Sequence, residues 1–269
     1  MKTLPENWKK WLIDNLLNRA DAQRLLDTLL ENGFNYEVCK KALGSNLPAD
    51  LSYPKDANFY HKLAHPLLLQ TLTKSGAQYL EKDKAQLLRL DYFLSPSECA
   101  EIIQIAKTKL RPSTITASAG FAGFRTSTTC DLPYLNEPAT DALDHKVIDC
   151  LGLGVGENEV IQAQHYDIGQ QFKAHTDYFE PGAEEYKQHA KTRGQRTWTF
   201  MVYLNEECEG GETEFCRLGL KVKPKTGTAL IWNNLYPDGC PNPDTIHQSH
   251  PITAGEKMVI TKWFRDQQQ

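Results

Sequence analysis

Residues 165 to 182 read HYDIGQQFKAHTDYFEPG, and within them His175 and Asp177 stand two positions apart. Side chains alternate with period two along an extended chain, so a His-x-Asp pair on a strand turns an imidazole and a carboxylate to one face. That is two thirds of a three-ligand metal site. Taken alone, so short a pattern is more often a surface pair, because chance matches are frequent. The chemistry depends on whether the rest of the chain brings a third ligand, a reason for a metal and room for a substrate.

Eight histidines are available. His247 and His250 lie in DTIHQSHPITAGEKMVITKWFR, ahead of a strong strand pattern, whereas His61, His65, His145 and His189 sit in helical or loop-like sequence. In a closed sheet, a histidine of the first pair returns to the end where the His-x-Asp lies. Two histidines and one carboxylate form a facial triad that leaves positions open on iron(II), the arrangement of non-heme oxygenases. A zinc hydrolase accepts the same donors, so the triad alone does not choose.

Lys257 chooses. A cation on a strand deep in an apolar barrel is costly unless it meets an anion. A 2-oxoglutarate molecule supplies one: its keto acid end chelates the metal while its distal carboxylate reaches the lysine, helped by hydroxyls such as Thr213 in GGETEF and Tyr166 in HYDIGQ. A hydrolase has no evident need for that lysine.

The elements that must position these residues are legible in outline. From Trp8 to Leu43 apolar residues recur at helical spacing, with NGF at 32–34 as a helix stop. The stretch GSNLPADLSYPKDANFY, 44–60, reads as loop or linker. In LLRLDYFLSPSECAEIIQIAK, 87–107, Ser95 can cap a helix, Pro96 suits its first position and Glu98 completes a capping box, so a strand precedes a helix. After about residue 110, short β-rich runs such as EVIQAQHY, TWTFMVYLN, ETEFC, GLKVKPKTGTALIWN and KMVITKWF alternate with Gly, Pro, Asn and Asp clusters. This is the pattern of an antiparallel sandwich or barrel. The alternating glycines of GLGVG, 152–156, lack a surrounding βαβ unit and do not read as a dinucleotide loop.

With 269 residues, 40% hydrophobic, and a net charge of -4, the chain has an ordinary globular composition and no positive field to draw nucleic acid or an anionic membrane. No apolar run approaches the roughly 18 residues of a membrane span, and no signal-peptide pattern opens the chain. The seven cysteines are odd in number, scattered and never Cys-x-x-Cys, which argues against a disulfide framework or thiolate zinc site and for a reducing cytoplasm.

From about residue 87 to 266 the chain resembles the catalytic domain of the prolyl 4-hydroxylases, within the iron(II)- and 2-oxoglutarate-dependent dioxygenases. The stretches LDYFLSPSEC, FRTSTTCDL, HYDIGQQFKAHTDYF, QRTWTFMVYLNEECEGGETEF, GLKVKPKTGTALIW, PDGCPNPDTIH and GEKMVITKWF stand in family order. The resemblance implies a mainly β fold with flanking helices: a double-stranded β-helix (jelly-roll, cupin-like) barrel preceded by a small N-terminal helical region. The divisions expected are a helical accessory region at 1–60, a linker or helix at 61–86, and the dioxygenase domain at 87–269 with its jelly-roll core at about 158–266.

The resemblance also assigns roles. Metal ligands and catalytic residues are His175, Asp177 and His247, with His250 a neighbour only. Lys257 pairs with the 2-oxoglutarate carboxylate, with Thr213 and Tyr166 as hydrogen-bond donors. Arg196 and Trp263 face the peptide substrate. Two departures touch that side: Phe172 stands where relatives commonly carry a tyrosine, and Arg265 where several carry a histidine. The implied cofactors are iron(II), 2-oxoglutarate, dioxygen and ascorbate as reductant, and the implied partner is a proline-containing peptide or protein. Alternatives are hydroxylation of another side chain or a free amino acid, a non-catalytic binding or sensing module on the same barrel, and, more distantly, a zinc-type hydrolase.

Overall fold

The computed structural model describes residues 2–66, 69, 72, 76–113, 124–132, 137–153 and 159–267. The leucine spacing produces helices α1 (Glu6–Leu17), α2 (Ala22–Glu31) and α3 (Tyr36–Leu43). Asp21 opens α2 by accepting the Arg24 N–H, and Asn35 opens α3 by accepting from Glu37 and Val38, each satisfying a donor the helix cannot pair internally. Their apolar faces close over Leu12, Leu25, Leu26, Leu29, Cys39 and Leu43. Cys240 and Tyr236 join the same cluster from far along the chain, so this helical region shares its core with a loop of the β half.

The stretch 44–60 is not all loop. It contains a 3-10 turn, Gly44–Asn46, and the start of α4 (Ala57–Ala64), whose N-cap is Asp56. Periodicity is weak there because a cap, rather than an apolar stripe, fixes the helix start. Further on, β1 (Gln78–Glu81) and β2 (Leu87–Leu90) precede α5 (Pro96–Lys107), where Ser95 and Glu98 form the expected capping box with Pro96 in the first turn. Then come β3 (Arg111–Pro112), β4 (Thr128–Asp131) and α6 (Pro138–Leu151). Gly152 ends α6 in the left-handed region; the rest of GLGVG, from residue 154, lies outside the described residues.

The β half supplies β5 (Gln162–Tyr166), β6 (Phe172–His175), helix α7 (Glu184–His189), β7 (Arg196–Tyr203), β8 (Cys208–Gly210), β9 (Thr213–Phe215), β10 (Leu220–Val222), β11 (Ala229–Asn233), β12 (His247–Ser249), β13 (Ile252–Gly255) and β14 (Lys257–Arg265). An eight-stranded sheet runs β1-β2-β11-β7-β14-β5-β4-β3, and a four-stranded sheet runs β10-β9-β12-β6. Facing one another, they make the double-stranded β-helix. One face of the large sheet, with Leu88, Val202, Ile231 and Ile260, packs on Ile102, Leu143 and Val147 of α5 and α6. Its other face, with Met201, Tyr203, Trp232 and Val259, meets Phe215, Val222 and Ile252 inside the barrel.

Strand periodicity then sorts β14. Met258, Ile260 and Phe264 go to the helix-covered core, while Lys257, Val259, Thr261 and Trp263 line the cleft between the sheets. At about 3.3 Å per residue, Lys257 and Trp263 stand roughly 20 Å apart along one wall. No helix among the described residues is long and apolar enough to cross a membrane.

Candidate metal and cosubstrate site

His175 is the last residue of β6, and Asp177 follows just beyond the strand end. His247 opens β12 and is the cross-strand partner of His175. The His175 Nε2 lies 3.8 Å from Asp177 Oδ1, and the His247 Nε2 lies 4.0 Å from Asp177 Oδ2. The three donor groups thus converge within 4.8 Å of one another and could hold a metal ion. His250 turns elsewhere: its Nε2 is 2.5 Å from Glu214 Oε2.

The chemistry of the donor set fits iron(II). The Nδ1 of His175 lies 2.8 Å from the Lys173 carbonyl, and that of His247 lies 2.9 Å from the Thr245 carbonyl. A carbonyl only accepts, so each Nδ1 carries the proton and each Nε2 presents its lone pair to the common point. Burial and the neighbouring His247 hold the His175 pKa down at about 3 against the pull of Asp177, which keeps its imidazole neutral. For Asp177, burial pushes the pKa up, but both imidazoles, Arg196 and the Thr199 hydroxyl outweigh it and the carboxyl sits below its usual range. Two neutral imidazoles and one carboxylate on one side of a point are the facial set that leaves positions open for other ligands.

Behind the carboxylate runs a buried relay. Thr199 donates to Asp177 Oδ2 at 2.7 Å, Asn234 donates to Thr199 Oγ1 at 2.8 Å, and the Trp232 indole donates to Asn234 Oδ1 at 3.0 Å. The Trp232 ring also meets His247 edge-on, centroids 4.9 Å apart. The relay thereby orients two of the three ligands together.

Lys257 is buried, and burial pulls its pKa down to about 7 despite the weaker opposing pull of Cys208 and Glu212. Its ammonium donates to the Gly211 carbonyl at 2.7 Å and to the Ser249 hydroxyl, and sits 4.5 Å from the Tyr166 ring centroid. Gly211 has φ +70°, and a Cβ there would lie 2.4 Å from Ile252 Cδ1. The positive φ favours glycine at the second position of GGETEF, and its carbonyl receives the lysine. Thr213 lies in the same cleft and accepts from Tyr203 at 2.6 Å, leaving its own proton to donate. Tyr166 lines the cleft too, with its hydroxyl turned to Gln164 Oε1 at 3.0 Å.

The expected substrate residues divide. Phe172 and Trp263 line the cleft with the metal-binding trio, and the Phe172 ring stacks on His175 at 3.6 Å. Arg196 and Arg265 do not line it. Arg196 makes a two-pronged ion pair with Glu159, at 2.5 and 2.6 Å, and lies 4.1 Å over the Trp263 ring. Arg265 reaches the same Glu159 at 2.8 Å and donates to the carbonyls of His189 and Gly194 at 3.2 and 2.6 Å. Burial raises the Glu159 pKa, yet the two arginines outweigh it and hold the carboxyl below its usual range. Sequence reading missed Glu159, Thr199, Asn234 and Ser249. Each gains its role from a partner distant in sequence, and none carries a local pattern.

The family model described as the 2OG-Fe(II) oxygenase superfamily matches residues 161–265. The chain is 32% identical over 200 residues to probable prolyl 4-hydroxylase 9 of Arabidopsis thaliana, covering 66% of this chain and 67% of that one. It is 30% identical over 193 residues to prolyl 4-hydroxylase subunit alpha-1 of Gallus gallus, covering 70% of this chain but 37% of that one, little more than a third of its length. Among solved structures, the viral collagen prolyl hydroxylase of Paramecium bursaria Chlorella virus-1, in its 2OG complex, aligns with a TM-score of 0.51 at 27% identity. That alignment covers 66% of this chain and 93% of the viral one.

Proposed function

Because this chain belongs to the prolyl 4-hydroxylase family of 2OG-Fe(II) oxygenases, we propose that it hydroxylates a prolyl residue of a peptide or protein at the 4-position. The family's cofactor and cosubstrates are iron(II), 2-oxoglutarate and dioxygen, with ascorbate as reductant. The observation that carries the reading is the single cleft holding His175, Asp177 and His247 together with Lys257 and with Phe172 and Trp263.

When bound, the iron supplies the redox chemistry that couples decarboxylation of 2-oxoglutarate, giving succinate and carbon dioxide, to insertion of the second oxygen atom of dioxygen into a substrate C–H bond. The chain supplies placement. His175, Asp177 and His247 would hold the metal from one side. Lys257, with the Ser249 and Thr213 hydroxyls, would receive the distal carboxylate as charge-assisted contacts. Phe172 and Trp263 would wall the space for an apolar pyrrolidine ring. Two N–H donors of Arg196 serve Glu159 and one reaches the Asp177 carbonyl at 3.4 Å, so this guanidinium would serve the substrate side by bracing the Trp263 ring it lies over.

The test is direct. The protein is incubated with iron(II), ascorbate, 2-oxoglutarate and a library of proline-containing peptides and free amino acids, with succinate and product mass followed together. The expected result is succinate formation matched by a gain of one oxygen on proline in peptides. Oxygen gained on another residue or on a free amino acid would overturn the substrate assignment, and no succinate with any substrate would overturn the reaction.

A further inference from the structure

We propose that Lys55 and Tyr60, from the segment that follows the N-terminal helices, act through the buried carboxylate of Asp266 as positioning residues for the chain that leaves the metal ligand Asp177. Asp266 immediately follows Arg265 at the end of β14 and is buried. Its Oδ1 accepts from Lys55 Nζ and from the Gln195 backbone N–H, both at 2.9 Å, and its Oδ2 accepts from the Tyr60 hydroxyl at 2.8 Å. Two of the three donors thus come from the N-terminal segment and one from the chain entering β7. Gly194 makes room for this approach, since a Cβ there would lie 2.3 Å from Asp266 Oδ1.

Gln195 passes the constraint on. Its Oε1 accepts the Phe179 N–H at 2.7 Å and the Arg196 N–H at 3.0 Å, while its Nε2 donates to the Phe179 carbonyl at 2.5 Å. Both backbone polar groups of Phe179 are therefore held by one amide side chain, two residues after Asp177. The Phe179 ring lies 4.9 Å from the Arg196 guanidinium and 4.8 Å from that of Arg265. Farther along the same segment, the Gly182 N–H donates to the Asn32 carbonyl at 2.8 Å, and a Cβ at Gly182 would lie 2.6 Å from Trp8 Nε1. The N-terminal helices and the Asp266 node thus grip one segment, 178–195, at two places.

A buried carboxylate keeps a fixed direction only while its lone pairs are occupied. Lys55, Tyr60, Asp266, Gln195 and Tyr186 border a cavity of about 380 Å³. Without its two N-terminal donors, Asp266 can turn into that space and release the Gln195 backbone. Gln195 then loosens Phe179 and the guanidinium of Arg196 loses its fixed frame, whereas the Asp177 carboxylate stays held by Thr199. Lys257 shares no partner with this network, so the effect is confined to the end of the cleft that would face the peptide. That functional half rests on the prolyl-peptide reading; the mechanical half does not.

The experiment uses the full chain and the double variant Lys55→Met with Tyr60→Phe, and reads amide hydrogen exchange first. The expected result is exchange at Phe179 and Arg196 at least tenfold faster than in the parent, with Phe200 and Ile260, in the middle of β7 and β14, unchanged. Decarboxylation of 2-oxoglutarate without peptide should stay within twofold of the parent, while the KM for a prolyl peptide rises and kcat moves less. Lys55→Arg with Tyr60 intact should restore parent exchange. Parent-like exchange at Phe179 and Arg196 in the double variant would overturn the proposal. So would uniform acceleration along β7 and β14, because it would mean that the contacts serve general stability alone. If the double variant does not fold, Tyr60→Phe alone is read the same way, with a rise of about threefold expected and none contradicting. A parent that hydroxylates no prolyl peptide would remove the substrate class but leave the exchange result to decide this inference.

Discussion

Buried cations stand at one end of the cleft and beyond the other, and they are treated in opposite ways. At one end Lys257 meets neutral oxygens from Gly211 and Ser249 and the face of Tyr166. Beyond the other end, outside the cleft lining, Arg196 and Arg265 converge on Glu159. The lysine is left without a paired carboxylate, so burial pulls its pKa down to about 7, whereas the arginines bring their own counter-ion. A buried cation without a matched anion is costly and is repaid when a carboxylate arrives in a site from which water is excluded. Recognition of the cosubstrate is therefore electrostatic. Recognition at the tryptophan end falls to the ring faces of Phe172 and Trp263, which suits an apolar pyrrolidine better than a charged side chain.

The largest expected effect removes the centre that both ends serve. Alanine at His175, Asp177 or His247 should each abolish succinate formation, because a facial site has only three protein ligands to lose. His250→Ala should leave metal binding and turnover near parent values, since its imidazole faces Glu214. Metal titration followed by a succinate assay checks both, and the reverse ranking of His247 and His250 would contradict the assignment.

The next effect separates the ends by pH. In the free protein Lys257 titrates at about 7, below the ordinary lysine value of about 10.4. Below pH 7 the amine is already charged when 2-oxoglutarate arrives. Above it the amine is mostly neutral, and binding a carboxylate must draw in a proton. Affinity for 2-oxoglutarate should therefore fall by up to about tenfold per pH unit between pH 7 and 9. Calorimetry in buffers of differing ionisation heat should find proton uptake approaching one per site, and binding without proton uptake at pH 8.5 would contradict the unmatched charge.

The smallest effect belongs to the arginine pair. Glu159→Gln removes the shared charge but keeps an amide oxygen that can still accept from the arginines, so KM for peptide should rise by only about threefold. KM for 2-oxoglutarate should not change. Steady-state kinetics in both substrates decide it; a shift in the 2-oxoglutarate constant alone would mean the two ends are not independent.

How much of this was legible in the sequence depended on how local the cause was. The capping box at Ser95 and Glu98 needs only four consecutive residues, and it appears as read. Side-chain alternation along β14 puts Lys257 and Trp263 on one wall, but the sequence reading reached Trp263 only through the family resemblance. The pairing of His175 with His247 required a closed sheet, and the antiparallel run of short strands implied one. Glu159 was invisible: its partners Arg196 and Arg265 lie on two other strands, and an isolated Glu before a strand has no signature. The family resemblance put both arginines on the substrate side, and their donors are instead largely committed within the protein. The α4 helix escaped notice because it begins at a cap, Asp56, inside a Pro- and Asn-rich stretch.

The most direct test of the central claim, that the cleft holds 2-oxoglutarate between a metal and a lysine, is a paired binding measurement on Lys257→Ala. A buried ion pair that loses one partner is expected to cost about 2–5 kcal/mol. Affinity for 2-oxoglutarate should therefore fall at least about tenfold, while iron(II) affinity stays at the parent value because the ammonium bonds to Gly211 and Ser249 and to none of the three ligands. Parent-like 2-oxoglutarate binding by Lys257→Ala would contradict the account, and so would an equal loss of iron.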